Sequence, residues 1–434
     1  MSVNKHKQPG ILRDRNLRFL FAGQATSMVG DSFYMLTLLW MTETLTKGSP
    51  LSSLWIGIVV GSGYVTRVFV TPVAGVFVDR WRKRTVMLVS DAIRAVVLGI
   101  LAVLFVLGHA HVLELVVFQI AVAAVTSYFR PANVSLLRQI TKEDQLLKAN
   151  ALFRTTQQTT AFLGPALGGF LIGSVGMAPA LEFDCLSFIV SVVSLIFVKS
   201  DEVRTADKAG GVHKVVEEMG EGFQTLVSVP ITRIVFPFML SYNFMIASAD
   251  VLLVVFISNV LHYTSSRGAI ILGVFQAAMA LGDIVGGLST EFVAKRVAKE
   301  HMLAGAMGVS AVFLFLIGLS KSIVFISACL FIISVFIMMS GIVFQTTVQL
   351  AIPKNQLGRV WSLVGAALNG SVPLSQVLGS WIAVFVPIGL MFNGMGILAA
   401  GVCAAAFSTK FVRHPGTIDA AVSSPSQSES VGTP

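Results

Sequence analysis

Charge is what this chain has least of. Only 12% of its 434 residues are Asp, Glu, Lys or Arg, about half of the ~25% usual in a water-soluble domain. That deficit, with a mean hydropathy of +0.81, excludes an ordinary soluble globule. Cysteine is scarce too. Cys185, Cys329 and Cys403 make an odd set, with no C-x-x-C pair, and all lie in apolar runs. Neither a disulfide framework nor a metal site is expected from them. His109 and His111 form an H-x-H in a short turn, which reads as a solvated loop. The sequence has no G-x-x-x-x-G-K-[ST] loop and no polar stretch large enough for a nucleotide domain, so ATP chemistry is not expected. The reading is of a protein that is not an enzyme and needs no cofactor. Bases exceed acids by +9, but the cations sit in short loops without a basic face carrying exposed aromatics, so no nucleic-acid partner is expected.

Long apolar runs fill the rest. A hydrocarbon core of ~30 Å takes about 20 apolar residues per helix, and closed backbone hydrogen bonding makes helices the spanning form. The runs predict twelve spans, near 17–42, 53–78, 85–107, 112–133, 146–174, 179–198, 230–259, 267–291, 301–319, 323–345, 360–384 and 387–410. One set of loops holds the N-terminal cluster, Arg80 to Arg84, Arg138, Lys142, Lys148, Lys199, Lys295, Arg296, Lys299, Lys354, Arg359, Lys410 and Arg413. The other holds only Lys47, Arg267 and Lys321. Positive loops stay inside, so both termini are expected in the cytoplasm of a multi-pass plasma-membrane protein. The first apolar run is longer than a signal-peptide core and reads as a retained span.

The halves repeat. A shift of 212 carries Gly75, Asp79, Lys83 and Arg84 onto Gly287, Glu291, Lys295 and Arg296, and a shift of 211 carries Gln145, Leu146, Lys148 and Gly168 onto Gln356, Leu357, Arg359 and Gly379. The expected fold is an all-α membrane protein of two six-helix bundles related by a pseudo-twofold. Its expected parts are an N-terminal bundle at 1–198, a cytoplasmic linker at 199–229, a C-terminal bundle at 230–411 and a disordered tail at 412–434.

Buried charge marks the candidate sites. Asp31 lies about 14 residues into the first span, roughly 20 Å along the helix. A carboxylate at that depth is expensive and usually functional, and desolvation favours the protonated form of a carboxyl group. Asp31, Asp250 and Asp283 are therefore the proton-coupling candidates. The repeat places Asn243 opposite Asp31, and Asn243, Arg154 and Gln119 are cavity candidates. Asp91 and Arg94 stand i, i+3 on one helix face, with Arg67 near the same depth, and read as a gate charge cluster. Glu43, Glu114, Glu182 and Asp184 fall near outer helix ends and are expected to be solvated. Gly164, Pro165, Gly168 and Gly169, with Gly57 and Gly61, suit close helix packing.

Gly75-x-x-x-Asp79-Arg80-x-x-Lys83-Arg84 fills the loop motif G-x-x-x-D-R-x-x-[RK]-R of the major facilitator superfamily, which the chain resembles over its twelve spans. Gly164-Pro165-Ala-Leu-Gly168-Gly169 is similar to the core of that family's export motif, with Thr160 in place of the leading glycine. Gly30-Asp31, Ser90-Asp91 with Arg94, and Gln145-Leu-Leu-Lys148-Ala-Asn150-Ala look like the branch holding macrolide-efflux proteins and the enterobactin exporter. Span four departs from the drug-antiporter pattern, because Val116 to Thr126 holds no proton-transfer arginine. The resemblance implies that Asp79, with Arg80 and Arg84, latches the halves against the start of span eleven. The expected function is secondary export of amphipathic, macrolide-like molecules by proton antiport. A dedicated siderophore or metabolite exporter is the alternative, and a non-transporting receptor or scaffold a third reading. The expected partners are a small-molecule substrate, protons and membrane lipid, with the chain a monomer.

Overall fold

The computed structural model describes residues 13–200, 220, 223–263, 265–352 and 356–408, and within its helices leaves a few side chains undescribed, among them Asp79 and Asp250. The linker expected at 199–229 is therefore covered only in part, and the tail at 412–434 lies outside the described residues.

Among these residues the chain is helical from end to end, with no strand. The helices are α1 (Arg15–Leu45), α2 (Ser52–Arg80), α3 (Lys83–Val106), α4 (Val112–Ile140), α5 (Glu143–Val175), α6 (Met177–Phe197), α7 (Pro230–Ala247), α8 (Ala249–Asn259), α9 (Ser265–Ala294), α10 (Lys299–Leu319), α11 (Ile323–Ala351), α12 (Leu357–Phe385) and α13 (Ile388–Ser408). Each expected span is a helix except the seventh. That one breaks at Ser248, where the hydroxyl bonds the Met245 carbonyl at 3.3 Å. A serine bonding a carbonyl one turn back competes with the helical ladder. The other ends overshoot the apolar runs: α1 has 31 residues and α5 has 33, ~46–50 Å at 1.5 Å per residue, so both outrun the hydrocarbon.

Nine spans among the described residues are long and apolar enough to cross a membrane. The helices short of that measure are α1, α5 and α12. They carry Asp31, Arg154 and Gln376, polar residues that a lipid-facing helix does not need.

The chain divides into two compact units. The first comprises Met1–Lys47, Ser62–Val212 and Ser265–Gly273, the second Gly48–Gly61, His213–Thr264 and Val274–Pro434. In the first, α6 packs between α1 and α3, α3 also meets α4, and α1 meets α5. In the second, α10 packs on α13 and α11, and α7 meets α12. These are the pairings of the first unit repeated, as the sequence repeat requires.

Glycines explain the two short segments that leave their own half. Gly57 of α2 lies flush against Ser380 of α12, and a Cβ at Gly61 would meet Val377 at 3.1 Å. A Cβ at Gly169 of α5 would fall 2.6 Å from the Ala269 carbonyl of α9 and 3.0 Å from Gly273. Backbones this close need small residues.

α1 and α6 approach in the same way. Gly23, Ser27 and Gly30 stand at i, i+4 and i+7, and Gly30 backs directly onto Asp184 and Ser187 of α6. Below them a cluster of buried side chains, including Leu17, Phe21, Met87, Phe129, Leu136 and Leu195, closes the bundle.

Candidate functional site

The first unit holds an ionic cluster built from several of its helices. Arg94 of α3 sits at its centre, with its side chain 2% exposed. Its Nη2 donates to Asp91 Oδ1 on the same helix, the i, i+3 pair expected from the sequence. Its Nη1 is 3.8 Å from Asp31 Oδ1 of α1. The guanidinium is sandwiched between Phe129 of α4 and Phe188 of α6, at 4.4 and 4.2 Å from the ring centres. Ring faces hold a desolvated cation in place without neutralising it, so its charge stays available to the acids.

Asp91 is fully buried, and its second oxygen accepts from Ser191 Oγ of α6 at 2.6 Å. Asp31 is different: half exposed, it is the acid of the cluster that reaches open space. Besides Arg94, Asp31 has Arg130 of α4 and Arg67 of α2 as charged neighbours. Arg67 lies 4.7 Å over the Tyr64 ring. It therefore belongs with Asp31, not beside Asp91 as its depth in the sequence suggests.

Two of these groups escaped the sequence reading. Arg130 lies four residues beyond the Val116 to Thr126 stretch of span four, one turn before α4 ends its apolar run. Asp184 was expected to be solvated near an outer helix end; instead it is 0% exposed. The correction has a visible cause. Asp184, Ser187, Ser191 and Ser194 follow at steps of three, four and three, and all are buried. They form one polar stripe on α6, turned towards α1 and α3. Helical spacing of small polar residues within an apolar run was the signal. Glu43 is likewise buried, at 4% exposure, whereas Glu182 is exposed and Glu114 bonds the His111 backbone N–H at 3.1 Å.

The other expected residues fall as follows. Gln119 is buried and accepts from Tyr34 Oη at 2.7 Å, linking α4 to α1. Arg154 is exposed on α5 and Asp283 on α9. In the second unit Asn243 makes uncharged contacts: its Nδ2 donates to the Leu368 carbonyl at 3.0 Å and to Ser371 Oγ at 2.8 Å. Nearby Tyr242 bonds Ser310, and Ser375 donates to the Phe244 carbonyl. Among the described residues no group of three or more His, Cys, Asp or Glu is placed to hold a metal.

In the basic loop, Arg84 donates from Nε to the Leu195 carbonyl at 2.9 Å and from Nη2 to the Ile196 carbonyl at 2.6 Å. It thus caps the C-terminal end of α6, where free carbonyls and the helix dipole favour a cation. Arg84→Ala is expected to lower stability by ~1–2 kcal/mol, read as an earlier unfolding transition in detergent. An unchanged transition would remove the cap from the account.

A sequence model of the Major Facilitator Superfamily matches residues 20–376. The chain is 24% identical over 395 residues to the MFS-type transporter YfiS of Bacillus subtilis (strain 168), covering 90% of this chain and 92% of that one. It is 22% identical over 382 residues to macrolide efflux protein A of Streptococcus pyogenes, covering 84% and 88%. In fold it is similar to the crystal structure of a point mutant of the nucleoside transporter NupG, with a TM-score of 0.70 at 12% identity, over 90% of this chain and 100% of that one.

Proposed function

The chain belongs to the major facilitator superfamily, and from that premise, a multi-pass membrane transporter and not an enzyme, we propose that it exports amphipathic, macrolide-like molecules across the cytoplasmic membrane by proton antiport. The observation that carries this reading is Asp31: a mid-span carboxylate, half exposed, with arginines of three other helices around it. An acid that meets both open space and a buried cation has two states to choose between. Ionised, it pairs with the cation; protonated, it releases it. Exchange between those states is what proton coupling requires. The likeness to a macrolide efflux protein supports the substrate class. The loop charges support an orientation with both termini inside.

A susceptibility panel on cells expressing the chain tests the substrate class. Raised tolerance to macrolides and other amphipathic drugs, abolished by collapsing the proton gradient, is the expected result. No change in tolerance, with a single metabolite secreted instead, would replace it by a dedicated exporter.

The basic loop after α2 belongs to the same reading as a latch. Asp79 stands in the last turn of α2, where the helix dipole disfavours a carboxylate by ~0.3–1 kcal/mol. An acid kept at that end is explained by a partner gained in one state of the cycle. Asp79→Asn is expected to cut transport at least tenfold while ligand affinity holds, measured as efflux rate against equilibrium binding. Wild-type turnover would leave the loop only its orienting role.

A further inference from the structure

Asp184 plays no part in the exchange at Asp31, yet like Asp91 it is an acid fully enclosed in the cluster. It stands on α6 opposite Gly30, the residue before Asp31, so close that a methyl group at Gly30 would collide with its Oδ1 and with Ser187 Oγ. Its hydrogen bonding is incomplete. Ser187 Oγ lies 2.7 Å from the Asp184 main-chain carbonyl and 3.2 Å from Oδ1. One hydroxyl proton serves both, and the nearer acceptor takes the larger share. Asp184 Oδ2 is buried and has no partner among the described residues.

The surrounding charges do not compensate. From α1 it faces Asp31 and Tyr34, from α3 Asp91 and Arg94. Its own helix adds Cys185, and α5 carries no ionisable residue from Thr155 to Val175. Arg94 is already engaged by Asp91 and Asp31. Arg67 and Arg130 act on Asp31. Asp91 has a serine hydroxyl as well. Asp184 alone lacks a cation of its own and a donor for one oxygen. A bare carboxylate left so in a dry interior is costly, and a protonated one is not.

We propose that Asp184 is the enclosed proton site of the transport cycle, holding a proton on Oδ2 while Asp31 is ionised and passing it to Asp31 when the cluster rearranges. The proposal rests on the antiport reading of Asp31. In the transfer the O–H bond of Asp184 breaks and one forms on an Asp31 oxygen. The negative charge moves from Asp31 to Asp184, and Arg94, within electrostatic reach of both, follows it. Asp31, half exposed, then exchanges the proton with water. Two carboxyls in series let a buried site communicate with solvent without a water path to it.

Infrared spectroscopy of the full chain in lipid reads this directly, because a protonated carboxyl has a C=O stretch that a carboxylate lacks. At neutral pH wild type and Asp31→Asn are expected to show a protonated-carboxyl band that Asp184→Asn loses. Proteoliposomes loaded with erythromycin are expected to lose ΔpH-driven efflux in Asp184→Asn while still binding the drug. A band that survives in Asp184→Asn overturns the proposal. So does a lost band with ΔpH-driven efflux intact, since the proton is then static. Ser187→Ala covers a misfolded asparagine variant: it leaves the acid and removes the nearby hydroxyl, so the band is expected to shift with transport kept, and an unshifted band counts against Asp184 as its source. Wild type indifferent to ΔpH sinks the antiport reading, and the relay with it. The other adverse results overturn the relay alone.

Discussion

Asp31→Asn protein is expected to bind a macrolide as tightly as wild type and to lose all accumulation of it against a gradient. Asparagine keeps the shape and hydrogen bonding of the side chain. It cannot take up or release a proton, and it carries no charge for Arg94 at 3.8 Å. The cluster then has one fixed arrangement in place of two, and a ΔpH has nothing to act on. Downhill exchange needs no proton and survives. The measurement is efflux from proteoliposomes with and without an imposed ΔpH, beside equilibrium binding. Uphill movement by the mutant would place coupling elsewhere; Asp283, exposed on α9, would be the next residue to test.

The sequence made the helices legible for a simple reason. Bilayer thickness and backbone hydrogen bonding leave few alternatives for long apolar runs, so each run becomes a helix, the seventh a broken one. The break in the seventh was not legible, because a single serine among apolar residues resembles any other. Within the site, charge was conspicuous against so apolar a background, and i, i+3 spacing alone paired Asp91 with Arg94. What failed was depth. Asp184 lies eight residues into α6, about 10 Å from its start at 1.5 Å per residue, and by count that looks peripheral. Its burial depends on Gly30 and on the serine stripe, features spread over two helices that no single window contains. The uncharged counterpart of Asp31 was legible. Asn243 already stood at the repeat position of Asp31, so the two halves differed in charge there before any side chain was placed.

Arg94→Met is expected to be the most destabilising single change in the cluster, and the reason separates charge from packing. Methionine fills much of the same volume and still lies between Phe129 and Phe188. What it removes is the cation. Asp91, 0% exposed, then keeps the Ser191 hydroxyl and must carry an uncompensated charge or take up a proton. Breaking a buried pair by deleting one partner costs ~3–5 kcal/mol, whereas neutralising both partners is often nearly free. Arg94→Met with Asp91→Asn is therefore expected to regain most of the stability that Arg94→Met loses, in thermal unfolding of purified protein in detergent. The double variant restores the fold but not the switch, so its ΔpH-driven efflux stays absent. If instead the double variant is as unstable as the single one, the guanidinium acts through its two aromatic faces, and the acids of the cluster do not depend on it for their place in the bundle.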